Sequence, residues 1–344
     1  MSEPAEISVA VVNWNRRDHL RACLTSLSCQ RGANFEVIVV DNGSSDGSAE
    51  MARSEFGVRV IANQENLGFC AANNQAFAAA RGKFIALLNN DAEAAPDFLA
   101  NLRRAFDQAP DIGMAAAKVL VWDDPGRGGR IDKVGHLIYP DGQNRGRGTG
   151  ETDYGQFDGI EECLWPDGCA AMYRKAMLDA IGGFDEDFFM FADDAELGLR
   201  ARIAGWRCLY APGAVARHRR GASLDAGSHK RIFLIERNRV LLAAKLFPWS
   251  LLVLNPYYFA LRLAGGVLAA AGGKGEMARF PGLASKLRLA WTIVRADLAA
   301  LRMLPRMLRK RREIRRIAKL TPAEIRQLVL RNRIPVRALV EKSN

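Results

Sequence analysis

The sequence predicts an α/β protein built on a mixed, mostly parallel sheet with helices on both faces, followed by a helical, basic C-terminal region. Three observations lead there. Short apolar runs alternate with segments of helical spacing through the first third of the chain, the sign of repeated strand-helix-strand units. One run, Phe84 to Glu93 (FIALLNNDAE), is continuously apolar and then stops at Asn89, Asn90 and Asp91, as a strand buried on both faces does when it ends at a ligand crevice. Finally, 344 residues with 49% apolar content suffice for a full core, in one large domain with an appendage or in two domains.

In order, Ile7 to Val12 and Phe35 to Val40 are strand-like, and Arg17 to Cys29 between them carries Leu20, Cys23, Leu24 and Leu27 at helical spacing. The alternation continues with Ser48 to Phe56 (helix), Val58 to Ala62 (strand), Phe69 to Ala80 (helix) and Lys83 to Leu88 (strand). A helix over Pro96 to Gln108 and a strand near Met114 to Val121 follow. Trp122 to Gly159, rich in Gly, Asp and Arg, reads as a long loop or a hairpin excursion over the site. Beyond Cys163, the pattern gives a strand over Cys169 to Tyr173, helices over Lys175 to Ile181 and Asp193 to Ala204, and short strands at Arg207 to Leu209 and Ala214 to His218.

Composition removes several classes. Met1 to Glu6 is acidic and Ile7 to Val12 is too short for a secretory apolar region, so a cytoplasmic N-terminal domain is expected. Six cysteines without a Cys-x-x-Cys pair, in a chain of this size, point to reduced and mostly buried thiols. Four histidines make a His-rich zinc site a poor fit. No Gly-x-Gly-x-x-Gly follows the first strand, Gly146, Gly148 and Gly150 follow no strand, and no Gly-Lys-Ser/Thr phosphate loop occurs.

The charge of +11 is concentrated at one end. Lys274 to Asn344 holds 19 Lys or Arg against 5 Asp or Glu, leaving residues 1 to 273 at a net −3. Just before this tail, Phe247 to Gly273 is the most apolar stretch. It has the roughly 20 residues a spanning helix needs but is interrupted by Asn255, Pro256 and Arg262. With basic, Leu-rich helices following, a segment on or dipping into a membrane surface is favoured over a clean span, with a buried helical hairpin as the alternative. The expected division is 1–228, a catalytic α/β domain; 229–273, an apolar membrane-associating helical segment; and 274–344, the basic helical tail.

Four groups of polar residues fall at element ends. Asp41 and the following Asn42 to Asp46 close the second strand, where a carboxylate accepts from a base N–H or ribose hydroxyl, although an Asx-type turn explains the run equally well. Asn66, Gly68 and Asn74 surround the start of a helix, whose N-terminus could face a pyrophosphate. Asp91 is either a cation ligand, with Glu93 as a further donor, or a helix N-cap. In Phe188 to Arg200 (FFMFADDAELGLR), Asp193 and Glu196 fit a capping box, which leaves Asp194 as a general base held between a helix N-terminus and an apolar wall.

In this order these runs resemble the family 2 glycosyltransferases of the GT-A fold, and among them the bacterial rhamnosyltransferase-like branch. The matches are VVNWNR at Val11 to Arg16, VVDNGSSDGS at Val39 to Ser48, ENLGFCAANNQAF at Glu65 to Phe77, LLNNDAE at Leu87 to Glu93, GGFDEDFFMFADDAELGLRARIAGW at Gly182 to Trp206, and HRRGAS at His218 to Ser223. The resemblance implies an inverting, metal-dependent sugar transferase. By it, Asp41 reads the nucleotide base, Asn90 lies near the ribose, and Asp91 binds a Mg²⁺ or Mn²⁺ ion bridging the donor diphosphate. Asn66, Gly68 and Asn74 join the nucleotide-sugar site, Asp194 is the base, His218 with or without Glu93 completes the metal shell, and Asp193, Trp165 and Asp167 lie on the acceptor side. The implied partners are a nucleoside diphosphate sugar, dTDP-rhamnose or a UDP-sugar, a glycan or lipid-linked acceptor in cell-surface polysaccharide synthesis, and the inner face of the cell membrane. Where many relatives have Asp-Asp-Asp or Asn-Pro-Asp, this chain has Asn89, Asn90 and Asp91, so the resemblance leaves the metal on Asp91 with His218 or Glu93.

The competing class is a nucleic-acid-binding protein acting through Arg309 to Arg316 (RKRREIRR), with the α/β domain degenerate and non-catalytic. Aromatic residues for base stacking are sparse beyond Trp291, and the run follows an apolar segment, so no nucleic acid is expected and anionic lipid is preferred.

Overall fold

A computed structural model describes residues 4–122, 129–219, 228–280 and 282–341. The chain divides into two compact units. Unit 1 comprises Met1–His136, Gly146–Arg202 and Trp206–Arg220, and unit 2 comprises Leu137–Arg145, Ile203–Gly205 and Gly221–Asn344.

Unit 1 begins β1 (Ile7–Asn13), α1 (Arg17–Ser28), β2 (Phe35–Asp41), α2 (Ser48–Phe56), β3 (Arg59–Ala62), α3 (Phe69–Ala79) and β4 (Phe84–Leu88), the alternation its periodicity predicts. β1 pairs in parallel with β2 and β4, and β2 with β3. Every residue of β4 is buried, the reason its sequence is a continuous apolar run. A short β5 (Ala92–Ala94), α4 (Phe98–Ala105) and β6 (Ile112–Val121) follow. β5 runs beyond the sequence reading, because three residues are too few to show a period.

Trp122 to Gly159 is not one loop. Its described part contains β7 (Ile131–Lys133), antiparallel to β6, and a ribbon of β8 (His136–Ile138) and β9 (Asn144–Gly146), through which the chain passes into unit 2 and back. Then come β10 (Glu161–Cys163), β11 (Ala170–Arg174), α5 (Lys175–Ile181), α6 (Asp193–Ile203) and β12 (Arg207–His218). The two short strands expected at 207–209 and 214–218 are one, its register slipping between Ala211 and Val215. The main sheet runs β10-β12-β6-β11-β4-β1-β2-β3, with β11 antiparallel to β4 and β6 while β12 is parallel to β6. The C-terminal ends of β1, β2, β4 and β12 and the N-terminal end of β11 therefore share one edge of the sheet.

Unit 2 is helical: α7 (His229–Leu246), α8 (Trp249–Leu252), α9 (Asn255–Ala271), α10 (Leu283–Ile317), α11 (Pro322–Arg331) and α12 (Val336–Glu341). Asn255 and Pro256 open α9 rather than interrupt it, since a proline in the first turn forfeits no intrahelical bond. Arg262 does not break it either. Its guanidinium donates to Asp141 at 2.6 Å and to Glu236 at 2.7 and 2.8 Å, a buried network that draws the Glu236 carboxyl down to about 2 against the opposing cost of its burial. No helix among the described residues is long and apolar enough to cross a membrane. The outer side of α9 is nevertheless apolar, with Tyr257, Leu261, Val267 and Leu268 exposed, unlike a buried hairpin.

Candidate active site

Three polar side chains at the sheet edge form one chain of hydrogen bonds. Asn13, in register with Asp41 across β1 and β2, donates to Asp41 Oδ1 at 3.1 Å, and Asn90 beyond β4 donates to Asn13 Oδ1 at 2.7 Å. The other oxygen of Asp41 accepts from the amide of Ser44 at 3.0 Å. Asn13 and Asp41 are buried and Asn90 half-buried, so the row is a rigid floor with Asn90 at its accessible end.

Beside it, His218 at the end of β12 bridges two carboxylates. Its Nδ1 lies 2.8 Å from Asp132 Oδ2 and its Nε2 3.3 Å from Asp91 Oδ1. Burial opposes charge on the ring, but the two acids win and lift His218 to about 9; its positive charge in turn holds Asp91 below the ordinary carboxylate range against the cost of its own burial. With Nδ1 fixed by Asp132, Nε2 and the Asp91 carboxylate aim at each other, so both can serve one divalent cation. A carboxylate behind a ligating histidine is the outer-shell arrangement such sites use, and the donor set suits Mg²⁺ or Mn²⁺. Glu93 is engaged elsewhere: it sits in β5 and accepts from Arg219 at 3.0 Å, while Arg219 also covers the Trp122 ring.

The third group surrounds Asp194, on the first turn of α6. Asp194 Oδ1 accepts from the amide of Ala195 at 2.7 Å, and Oδ2 lies 3.4 Å from the amide of Gly168 and 3.5 Å from His136 Nε2. His136 Nε2 is 2.8 Å from Asp167 Oδ2, and Lys133 pairs with the same oxygen. Burial pushes the Asp194 carboxyl up, Asp167 adds to this, and His136 and Lys133 offset part of it; burial and Asp194 together push Asp193 well up. Burial would raise Asp167 too, but Lys133 and His136 hold it well below its usual range. Oxygens of Asp167 and Asp194 and a nitrogen of His136 lie within 4.8 Å of one another, close enough for a cation. The Lys133 ammonium already pairs with Asp167 there. Asp194 is left as a basic carboxylate on a partly open surface.

The positions of α6 and of the loop before it explain this geometry. Gly198, one turn after Asp194, lies where a Cβ would strike the side chain of Trp165, so the missing side chain lets α6 close onto the fully buried Trp165. Replacing Gly198 by Ala should destabilise unit 1 by about 1–3 kcal/mol through overpacking, read as a lower urea midpoint at unchanged m-value. An unchanged midpoint would mean that the contact relaxes freely. Phe189 (φ 64, ψ −59), Phe191 and Ala192 all have positive φ, strain just ahead of Asp193. The Phe189 ring packs where a Cβ on Gly68 would stand, 2.5 Å away.

This loop engages several of the expected residues. The amides of Phe69 and Cys70 at the start of α3 donate to the Phe189 carbonyl, so that helix end is taken. Asn74 is turned to the same segment, exchanging bonds with Phe184 and donating to Glu186. Asn66 accepts from Asn42 and from the amide of Gly68, shaping the turn. Asp193 is the first residue of α6, and Glu196 is buried against Arg200, whose guanidinium binds it bidentately at 2.8 and 2.9 Å. Trp165 touches no solvent and supports Gly198 and the His136 ring instead of facing an acceptor.

Residues 8–182 match the model of the family described as glycosyl transferase family 2. The chain belongs to that family. As a family 2 glycosyltransferase it is 28% identical over 269 residues to an N-acetylglucosaminyl-diphospho-decaprenol L-rhamnosyltransferase of Mycobacterium tuberculosis, covering 67% of this chain and 85% of that protein. It is 32% identical over 229 residues to the uncharacterized protein y4gI of Sinorhizobium fredii, covering 60% of this chain but only 24% of that longer one. The GT-A fold is shared with a mannosyltransferase from Pyrobaculum calidifontis solved with GDP-Man and Mn²⁺ (TM-score 0.52, 18% identity, 96% of this chain and 88% of that one). It is shared too with GalNAc-T7 solved with UDP, GalNAc and Mn²⁺ (TM-score 0.56, 15% identity, 71% of this chain and 48% of that one).

Within this family 2 chain, sequence reasoning picked Asp41, Asn90, Asp91, Asp167, Asp194 and His218 but passed over Asn13, Asp132, Lys133 and His136. Asn13 ends a strand as Asp41 and Asn90 do, a signal that was legible. Of the HRRGAS run, Arg220 to Ser223 lies outside the described residues.

Proposed function

We propose that the protein transfers one sugar, with inversion, from a nucleoside diphosphate sugar to a hydroxyl of a glycan or lipid-linked acceptor in cell-surface polysaccharide synthesis, at the cytoplasmic face of the membrane. The observation that carries this is a half-buried, basic Asp194 on the same sheet edge as the Asp91-His218-Asp132 set. Asp41 and Asn90 hold the nucleoside. Asp194 takes the proton of the acceptor hydroxyl as that oxygen attacks the anomeric carbon. The bond from that carbon to the diphosphate oxygen breaks, the diphosphate leaves with the electron pair, and attack opposite the leaving group inverts the centre. Asp91 and His218 would hold a divalent cation, which when bound would supply Lewis-acid stabilisation of the departing diphosphate. The relative from M. tuberculosis favours a dTDP-rhamnose donor and a lipid-diphosphate acceptor, with UDP-sugars next.

Thermal shift against a panel of nucleoside diphosphate sugars with Mn²⁺ tests the reading. A true donor at a hundred times its Kd should stabilise the fold by about 2.7 kcal/mol. If neither the sugars nor free nucleoside diphosphates move the melting temperature, the proposal fails.

A further inference from the structure

α10 is apolar on two opposite sides. One side carries Leu289, Ala296, Ala300 and Met307, all buried. On the other, Leu283, Leu287, Trp291, Val294, Leu298 and Leu301 recur at spacings of three and four, which places them on a single face, and all six are exposed, from 46% at Val294 to 74% at Leu283. Leu308 continues the row, giving a stripe of about 38 Å at 1.5 Å per residue. A helix on the surface of a folded unit normally turns polar residues outward, and a contiguous apolar row of this length marks a surface that something covers.

The flank of the stripe identifies what covers it. Arg288, Arg295, Arg302 and Arg309 follow one another every seven residues, so they form a second row along one edge of the apolar one, and all four are exposed. The acids of α10 do not answer them: Asp297 is bonded to Arg239, and Glu313 lies beyond the stripe. A second copy of this helix would bring like charge to like charge and offer no acidic row. An anionic bilayer offers both requirements, acyl chains for the leucines and tryptophan and phosphates for the arginines.

We infer that α10 lies in the plane of a membrane, its Leu283-to-Leu301 face sunk to the headgroup boundary and its arginine row on anionic phospholipid. This rests on the membrane association proposed above and assigns it to one face of one helix.

The test is flotation of the full-length protein with vesicles of phosphatidylcholine alone or mixed with phosphatidylglycerol. The native chain should float with the anionic vesicles and lose binding as salt rises. A variant with Arg288, Arg295 and Arg302 each changed to Gln should partition on the order of a hundredfold more weakly, and one with Leu287→Ser and Trp291→Ser should lose flotation at any salt. Both should keep the native melting temperature, the changed residues being exposed, and native transfer to a water-soluble acceptor. Native-like flotation of either variant overturns the assignment, as does a fall from dimer to monomer in its place. Failure of the native chain to bind any nucleotide sugar would strike the proposed reaction and leave the lipid result standing.

Discussion

Asp194→Asn should lower kcat by about 10² to 10⁴ while donor affinity stays native, the usual worth of a general base. Asn keeps the shape of the side chain and can still accept from the amide of Ala195, but it cannot take the acceptor proton. Two pH effects separate this from damage to the fold. Burial, with Asp167 beside it, raises the Asp194 carboxyl, so the native rate should fall, as pH drops, at a pH above the ordinary carboxylate range. Lys133→Met removes a cation that opposes that rise and should move the acid limb to still higher pH. The stability sign follows from linkage: a folded-state carboxyl raised above its unfolded value binds its proton more tightly when folded, so its contribution is full at low pH and lost as pH rises through the folded value. Above that folded value the ionised Asp194 is thus a burden, and Asp194→Asn should melt higher there than the native protein while turning over far more slowly. A variant that melts lower and loses donor binding together with rate would indicate a structural role and sink the assignment.

How much of this was legible in the sequence depended on where the information lay. β4 and Asp91 could be read because burial on both faces leaves an unbroken apolar run, and the change to Asn-Asn-Asp marks its end. Asp194 could be read because its neighbours had another explanation available, although Glu196 is engaged by Arg200. His136 and Asp132 could not. They sit on strands of three residues, too short for a period, in a segment whose Gly and Asp content looks like loop, and their partners are 31 and 86 positions away. Gly198 was equally hidden, since a glycine inside a helix announces a close approach only when the opposing Trp165 is known. Pro256 and Arg262 misled in the other direction. Local rules read them as breaks, whereas one starts α9 and the other is neutralised by acids 26 and 121 residues away.

Asp91→Asn should cost about 10² to 10³ in kcat/KM, the several kcal/mol that charge stabilisation of a leaving diphosphate is worth. The loss should be sharper here than in a site with three acids, because Asn89 and Asn90 bring no charge and Glu93 is spent on Arg219. Cation binding can be measured without turnover, by titrating Mn²⁺ into the donor-free protein in a calorimeter. The native chain should bind, Asp91→Asn should not bind measurably, and Asp132→Asn should bind about 10 to 100 times more weakly, because Asp132 reaches a cation only by orienting His218. The graded order carries the argument. If Asp91 served only as a counter-charge for His218, both substitutions would lower the melting temperature and neither would change Mn²⁺ affinity. Full transfer activity in EDTA would remove the cation altogether, and Asp91 would then be a partner of His218 and nothing more.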